Sequence, residues 1–220
     1  MDFQVRLLKG FTMPYASAYQ LTKAEKIQGV WKYSILLILL SMMITSVGVL
    51  FGAGNESLST FINDVPSNEF EMIKGLFGIG QILQAMIGTA IILFFPALIF
   101  WIFTDIEFKK IVVIQLFVGC ISILEKIILT PFNLIFGLSK ASSPFSLGVV
   151  AQYITNYEFL IQLFSTISIF SLGALALQFY YLRITTEKSR NLLLLLIIST
   201  NLFMWVFTAL FSYIKFEVLF

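Results

Sequence analysis

A glutamate and a lysine stand side by side inside a strongly apolar tract of the chain. Glu125 and Lys126 fall within the stretch SILEKIILTPFN, and Pro131 follows the lysine by five residues. A charged side chain at the centre of a bilayer costs about 2.5–3.5 kcal/mol on insertion scales, which makes such residues candidate functional sites. Neighbouring helical residues point about 100° apart, so the two charges do not face one partner squarely. Both are therefore candidates for contact with a partner or a ligand.

Pro131 decides how deep this pair lies. If the helix ends at the proline, the pair lies near the outer surface and Lys126 extends along its own stem to water. If the helix continues to residue 138, the pair lies deeper and needs partners within the protein. The sequence leaves both possibilities open. In either case we expect Glu125 or Lys126 to approach Gln84 or the polar residues near Gln162.

Side-chain amides and small residues recur inside the apolar runs. An amide in a hydrocarbon layer must find a hydrogen-bond partner or cost several kcal/mol, so these residues should point inward. Small residues on one helix face allow a second helix to approach closely. Ordinary helix packing and a solute path lined by these groups both remain open. The amides join the candidate contacts: Gln81, Gln84, Gln162 and Asn201; the small residues are the predicted helix-packing positions: Ser41, Thr45, Gly48, Gly52, Gly80 and Gly88.

The residues needed for several kinds of chemistry are missing. The chain has no histidine and one cysteine, Cys120, which excludes an intrachain disulfide, a Cys/His metal cluster and histidine-based acid–base catalysis. We find no phosphate-binding glycine loop and no Ser/His/Asp set. The formal charge of +2 is too small to suggest nucleic acid. We therefore predict a protein that is not an enzyme, with no cofactor, no metal and no nucleic-acid partner.

The composition indicates an integral membrane protein. Of the 220 residues 59% are hydrophobic and 12% are charged, whereas soluble domains carry about 25% charged residues. A helix that crosses a hydrocarbon layer of about 30 Å needs about 20 apolar residues. We predict an all-α integral membrane protein with five transmembrane helices, in which residues 1–33 form a partly amphipathic cytoplasmic segment and residues 34–220 the membrane domain. The five apolar runs are 34–52, 75–103, 108–138, 159–182 and 192–213.

Lysines and arginines set the predicted orientation. By the positive-inside rule, the side with more of them is cytoplasmic. Only Lys74, Lys140 and Lys215 fall on the other side, so we place the N-terminus in the cytoplasm and the C-terminus outside. The cytoplasmic side holds Arg6, Lys9, Lys23, Lys26, Lys32, Lys109, Lys110, Arg183, Lys188 and Arg190.

Short connections predict two tight cytoplasmic hairpins. The stretches TDIEFKK and TTEKSR leave little chain between spans two and three and between spans four and five. Thr104 and Glu107 have the spacing of a capping box that would start span three. Aromatic residues such as Trp31, Trp101 and Tyr181 are predicted to form a belt at the inner membrane boundary.

Two stretches resemble a known family. The first, TMPYASAYQLTKAEKIQGVWKYSILLILL, leads into span one, and the second is FTDIEFKKIVVIQLFVGCISILEKIILTPFNLI. Both are similar to bacterial members of the Yip (Ypt/Rab-interacting protein) membrane-domain family, with a Phe-Lys pair, an apolar span and a later proline. The chain departs from the family's Gly-Tyr step, where it has Phe117-Val118-Gly119. It also lacks the segment through which eukaryotic members bind Rab proteins.

The resemblance implies a non-enzymatic accessory protein. Some bacterial relatives, the YknW-like ones, are associated with macrolide-exporter-type ABC transporters and adaptor proteins that protect cells against antimicrobial peptides. The leading hypothesis is therefore an accessory or scaffold subunit of such a complex in the bacterial plasma membrane. Its partners would be the lipid bilayer, an ABC permease and ATPase, and adaptor subunits. The alternative is a small solute transporter or channel that uses Glu125, Lys126, Gln81 and Gln84.

Overall fold

The structure is a computed structural model that describes residues 2–52, 67–138 and 142–213. The predicted outer-side residues Lys140 and Lys215, and the C-terminal residues 214–220, lie outside the described residues. The described residues form the following elements in chain order: β1 (Asp2–Gln4), α1 (Leu7–Thr12), α2 (Pro14–Lys23), β2 (Lys26–Gln28), α3 (Val30–Leu50), α4 (Ser67–Phe103), α5 (Phe108–Phe136), α6 (Gly148–Ile154), α7 (Glu158–Ser165), α8 (Ile169–Thr185) and α9 (Arg190–Tyr213).

Four of these helices, α3, α4, α5 and α9, are long and apolar enough to cross a membrane. This agrees with the prediction of an all-α, multi-pass membrane protein. The run 159–182, predicted as one spanning helix, is instead divided between α7 and α8. Because α8 has 17 residues, it is about 25 Å long at about 1.5 Å per residue, which is shorter than a hydrocarbon layer of about 30 Å.

Serine side chains explain the break between α7 and α8. The hydroxyl of Ser168 accepts a hydrogen bond from the backbone N–H of Ser171, and the hydroxyl of Ser171 accepts one from the backbone N–H of Ser168. This reciprocal capping box starts a new helix at Ile169. The prediction of one spanning helix over 159–182 missed this capping role.

A neighbouring segment, which contains Phe145 and Leu147, forms hydrogen bonds with the backbone at the break between α7 and α8. The N–H of Leu147 donates to the carbonyl of Ile167 at 2.9 Å, and the N–H of Ile169 donates to the carbonyl of Phe145 at 3.0 Å. Backbone that is not helical survives at membrane depth only where other protein groups satisfy it. The residues between α5 and α6 therefore let the helix stop here without unpaired backbone groups at these positions.

The first half of α5 forms the centre of the bundle. Every residue from Ile111 to Gly119 is buried. Over an apolar stretch of 18 residues in each long helix, 56% of the stretch is buried in α5, against 22–28% in α3, α4 and α9. The helices α3, α4 and α8 surround it. At Gly119, an added Cβ atom would lie 2.8 Å from the side chain of Leu93, so the missing side chain lets α4 approach closely.

The N-terminal segment shares this core. Strands β1 and β2 pair in parallel, α1 packs on α5, and α2 packs on α8. The hydroxyl of Tyr181 donates to the carbonyl of Gly10 at 2.8 Å, and the rings of Tyr181 and Phe117 lie 5.0 Å apart. Because Tyr181 is fully buried, its predicted place in an interfacial belt is wrong. Trp31 and Trp101 are exposed, as a belt requires.

Three basic segments meet at one end of the bundle, which we call the basic end. The carboxylate of Asp105, between α4 and α5, accepts a hydrogen bond from Thr186 at 2.9 Å and lies 3.9 Å from the ammonium of Lys188, between α8 and α9. The ammonium of Lys110 donates to the carbonyl of Thr22 in α2. The hydrogen bond from Thr186, with a smaller contribution from Lys188, lowers the pKa of Asp105. Both short connections therefore lie on the same side as the N-terminal segment.

The predicted capping box between α4 and α5 does not form. The Thr104 hydroxyl donates to the carbonyl of Phe100 at the end of α4, and Glu107 is the N-cap of α5 without a side-chain cap bond. The Glu107 carboxylate lies 3.3 Å from the ammonium of Lys110 instead. Thr104 therefore bonds to the end of α4 and does not help to begin α5, although its spacing from Glu107 is that of a capping box.

We predict that Gly10→Val destabilises the protein by about 1–3 kcal/mol, the usual cost of overpacking a core. An added Cβ atom at Gly10 would meet the buried ring of Phe117. Gly173→Val is the matched control, because no atom lies within 4 Å of its added Cβ among the described residues. Thermal unfolding in detergent measures the difference. Equal midpoints for the two variants would show that α1 is not tightly docked.

Candidate functional site

Helix α5 continues through Pro131 to Phe136. It ends at Gly137, whose φ of +60° lies in the left-handed region that favours glycine. Lys126 therefore lies ten residues before the last helical residue, about 15 Å along the axis at about 1.5 Å per residue. Of the two possibilities that the sequence left open, the structure shows the deeper placement of the charged pair.

The ammonium of Lys126 on α5 lies where α3 and α4 pack against each other. It donates a hydrogen bond to the hydroxyl of Ser41, 2.7 Å away. The hydroxyl of Thr89 on α4 lies 2.8 Å from the same Ser41 oxygen, and it donates to the carbonyl of Ala85, also at 2.8 Å. Ser41 is fully buried and Thr89 is buried. We call Lys126, Ser41 and Thr89 the lysine cluster.

The lysine cluster lies at the mid-length of a helix that is long and apolar enough to cross a membrane. Ser41 is close to the midpoint of α3, which runs from Val30 to Leu50. Helical side chains tilt toward the N-terminus of their helix, so the side chain of Lys126 runs toward the basic end. Of the two placements that the sequence left open for this lysine, extension outward to water is not the one observed, because its ammonium bonds to Ser41 near the centre of α3.

The contacts predicted for the charged pair differ from those observed. Lys126 contacts α3 at Ser41, and Ser41 was predicted only as a packing position. Gln84 is exposed on α4, and Gln162 is half-buried on α7. Glu125 is itself half-buried. The sequence could not show that Gln84 lies on an exposed face of α4.

A second polar cluster joins α5, α8 and α9. The amide nitrogen of Gln178 donates to the side-chain oxygen of Gln115 at 3.0 Å, and the amide nitrogen of Asn201 donates to the side-chain oxygen of Gln178 at 2.9 Å. Gln115 and Gln178 are fully buried. We call these three residues the amide network. Asn201 was a predicted candidate contact, whereas Gln115 and Gln178 were not among the candidates although the same signal, an amide in an apolar run, marks both.

One polar group of the amide network lacks a hydrogen-bond partner among the described residues. This group is the side-chain nitrogen of Gln115. A buried unpaired amide group costs about 1–3 kcal/mol, so Gln115 weakens the gain from its bond to Gln178. The network therefore fixes the orientation of three helices relative to one another, but its net contribution to the free energy of unfolding is small.

The small residues of α3 and α4 play different parts. Ser41 and Gly48 are buried on the face of α3 that packs inward, and Thr45 is half-buried. Gly52 is exposed and has a φ of +87° just after α3 ends, so it terminates the helix rather than packing another helix against it. Gly78, which the prediction passed over, meets Val49 at 2.7 Å from its added Cβ position.

Gly80 and Gly88 do not bring helices of this chain together. No heavy atom lies within 4 Å of an added Cβ atom at either position among the described residues. Gln84, midway between them, is exposed, and Gln81 is half-buried. The predicted packing role of Gly80 and Gly88 is therefore not fulfilled inside the chain, and contact of this face with another protein stays a prediction.

The acidic residues and the cysteine do not form a metal site in the described part of the chain, where no group of three potential ligands comes together. Cys120 is a half-buried free thiol in α5. Comparison of the chain with family models, with curated protein sequences and with solved structures found no match.

We predict that Ser41→Ala destabilises the protein by about 1–3 kcal/mol, because it removes a hydrogen-bond acceptor of the half-buried ammonium of Lys126. In a Lys126→Met background the same change should cost less, because no ammonium then needs the hydroxyl. Reversible unfolding of the four proteins in mixed detergent micelles gives the coupling free energy. Additive effects of the two substitutions would contradict the lysine cluster.

We predict that Gln178→Leu costs more stability than Gln115→Leu. The first substitution removes two hydrogen bonds of the amide network and takes from Gln115 its only bond among the described residues, while Asn201 keeps its bond to the carbonyl of Ile197. The second substitution removes one bond together with an amide nitrogen that is already unpaired among the described residues. Side-chain hydrogen bonds between membrane helices average about 0.6 kcal/mol each. The same unfolding measurement ranks the variants, and the reverse order would show that Gln178 does not connect the network.

Proposed function

We propose that the protein is a non-enzymatic accessory or scaffold subunit of a bacterial plasma-membrane complex. In this proposal the chain crosses the membrane five times, with α7 and α8 together forming the fourth crossing. The basic end faces the cytoplasm and the C-terminus lies outside. One observation carries the proposal: among the described residues there is open space around Gly80 and Gly88 on α4, and Gln84 between them is exposed.

The line of these three residues, which we call the α4 stripe, has the properties of a helix-contact surface. Its residues follow one another at intervals of four, so they lie on one face of the helix. Glycines let another helix approach closely, and an amide can bond to that helix. The inward face of α4 is already occupied, since Ala85, Thr89 and Leu93 are buried. The α4 stripe is thus available to a second protein.

The depth of Gln84 makes such a partner favourable. It lies 17 residues from Trp101, about 25 Å at about 1.5 Å per residue, which keeps it inside a hydrocarbon layer of about 30 Å. An amide facing lipid has neither water nor protein to bond to. A helix that packs against Gly80 and Gly88 would supply that bond, so the complex is more stable than the separate chains.

The resemblance to the bacterial Yip family supports a specific kind of complex. It favours a macrolide-exporter-type ABC transporter with its permease, ATPase and adaptor, and thus protection against antimicrobial peptides. The α4 stripe supports helix contact in general, and the family resemblance supplies the class of partner.

A small solute transporter or channel is the second candidate. The observation that favours it is the lysine cluster, which holds a half-buried ammonium near the middle of the membrane. A transporter needs water beside this group. Replacing Cys120 with serine and introducing cysteine at Thr89 gives a single reporter: rapid reaction with a charged thiol reagent in intact cells favours a transporter, and protection of the cysteine favours the accessory subunit.

We predict that the double substitution Gly80→Leu and Gly88→Leu abolishes at least nine-tenths of partner recovery when the tagged chain is purified from native membranes. Leucine at both positions holds a partner helix away from α4, while the open space at both sites leaves the chain's own packing unchanged. Quantitative mass spectrometry of the purified complex measures recovery of a permease or an ATPase.

Gly173→Leu is the matched control, because Gly173 is likewise a helical glycine with open space around it among the described residues. It should retain full partner recovery. Recovery of the wild-type chain alone, or equal recovery with the double variant, would overturn the proposal. Thermal unfolding of both variants shows that any loss comes from the surface and not from unfolding.

A further inference from the structure

A cleft opens at the basic end, where β2 and the start of α3 lie beside the start of α5. It has two adjoining parts of about 330 and 260 Å³, and Ile27 and Lys109 line both of them. Gly29, with a φ of +89°, turns the chain from β2 into α3 at the edge of the smaller part. The cleft is separate from the lysine cluster, the amide network and the α4 stripe.

The charges on the walls of the cleft favour an anion. In the smaller part the charged residues are Lys32 and Lys109, both lysines. The larger part adds Lys26 together with Glu25 and Glu107. Of these carboxylates, that of Glu107 lies 3.3 Å from the ammonium of Lys110, outside the cleft lining. Lys110 therefore offsets the charge of Glu107, and the smaller part keeps a positive potential.

The position of the cleft in the membrane selects the kind of anion. Trp31 lines the smaller part, is 60% exposed, and packs its ring on that of Phe94 at 5.9 Å. Exposed tryptophans of membrane proteins lie at the level of the lipid headgroups. At that level the abundant anion is a lipid phosphate, and basic pockets between helices on the cytoplasmic side bind anionic headgroups.

We propose that this cleft binds the phosphate of an anionic phospholipid from the inner leaflet. Lys32 and Lys109 contact the phosphate in the smaller part, with Trp31 against the glycerol and the upper acyl chains. The larger part, with Lys26 and Gln28, receives the polar end of the headgroup. This site rests on the proposed orientation of the basic end, and it is independent of the partner that binds the α4 stripe.

Native mass spectrometry of the full-length protein in detergent tests the site, with phosphatidylglycerol titrated as the probe. We expect saturable lipid adducts whose affinity falls about fivefold for each lysine removed, since one lysine near an anionic membrane surface contributes about 1 kcal/mol. The double variant Lys32→Gln and Lys109→Gln should thus bind more than tenfold more weakly. Both lysines are exposed, so the variant is expected to keep the wild-type unfolding temperature.

The matched control is Lys9→Gln with Lys23→Gln, which removes the same charge from exposed positions of α1 and α2. It should bind phosphatidylglycerol like the wild type. Equal loss in the control, or equal binding of zwitterionic phosphatidylcholine, would overturn the proposal. Glycerol 3-phosphate that binds as tightly as the lipid would also overturn it and assign the cleft to a soluble phosphate compound. Because the assay contains no partner protein, these outcomes are distinct from failure of the accessory role.

Discussion

The burial of the first half of α5 determines how the other elements pack. A helix buried on all sides needs neighbours on all sides, and here α3, α4, α8 and the N-terminal segment provide them. Phe117 shows the result at a single residue, since its ring contacts Phe11, Tyr181 and the backbone of Gly10. The N-terminal segment, which precedes the membrane domain in the sequence, therefore contributes to the core of that domain at the basic end.

Hydrocarbon imposes a second requirement, which the bundle meets with two clusters on different sides of α5. The lysine cluster joins α5 to α3 and α4, and the amide network joins α5 to α8 and α9. Both clusters replace water with protein groups, because a polar side chain inside a membrane has no other source of hydrogen bonds. Two of the six residues that the sequence offers as possible contacts with other molecules, Lys126 and Asn201, are thus used to orient the protein's own helices.

The surface left after this packing carries the two proposed binding sites. The cleft beside Lys32 and Lys109 lies at the basic end, and the α4 stripe lies farther along the bundle from that end. A subunit that binds a partner helix at the α4 stripe and an anionic lipid in the cleft would have both its lateral position and its depth in the membrane fixed. This arrangement suits a scaffold, since it needs no reacting group.

The sequence by itself determined the membrane-protein class, the apolar helices and the two short hairpins, because length, hydropathy and charge act locally along the chain. It also marked Lys126, Ser41 and Asn201. Only the tertiary structure decided that α5 passes Pro131, that α7 and α8 separate at Ser168, and that Gly80 and Gly88 face outward. These outcomes depend on which helix face meets which neighbour, and residues far apart in the sequence decide that through packing and hydrogen bonds.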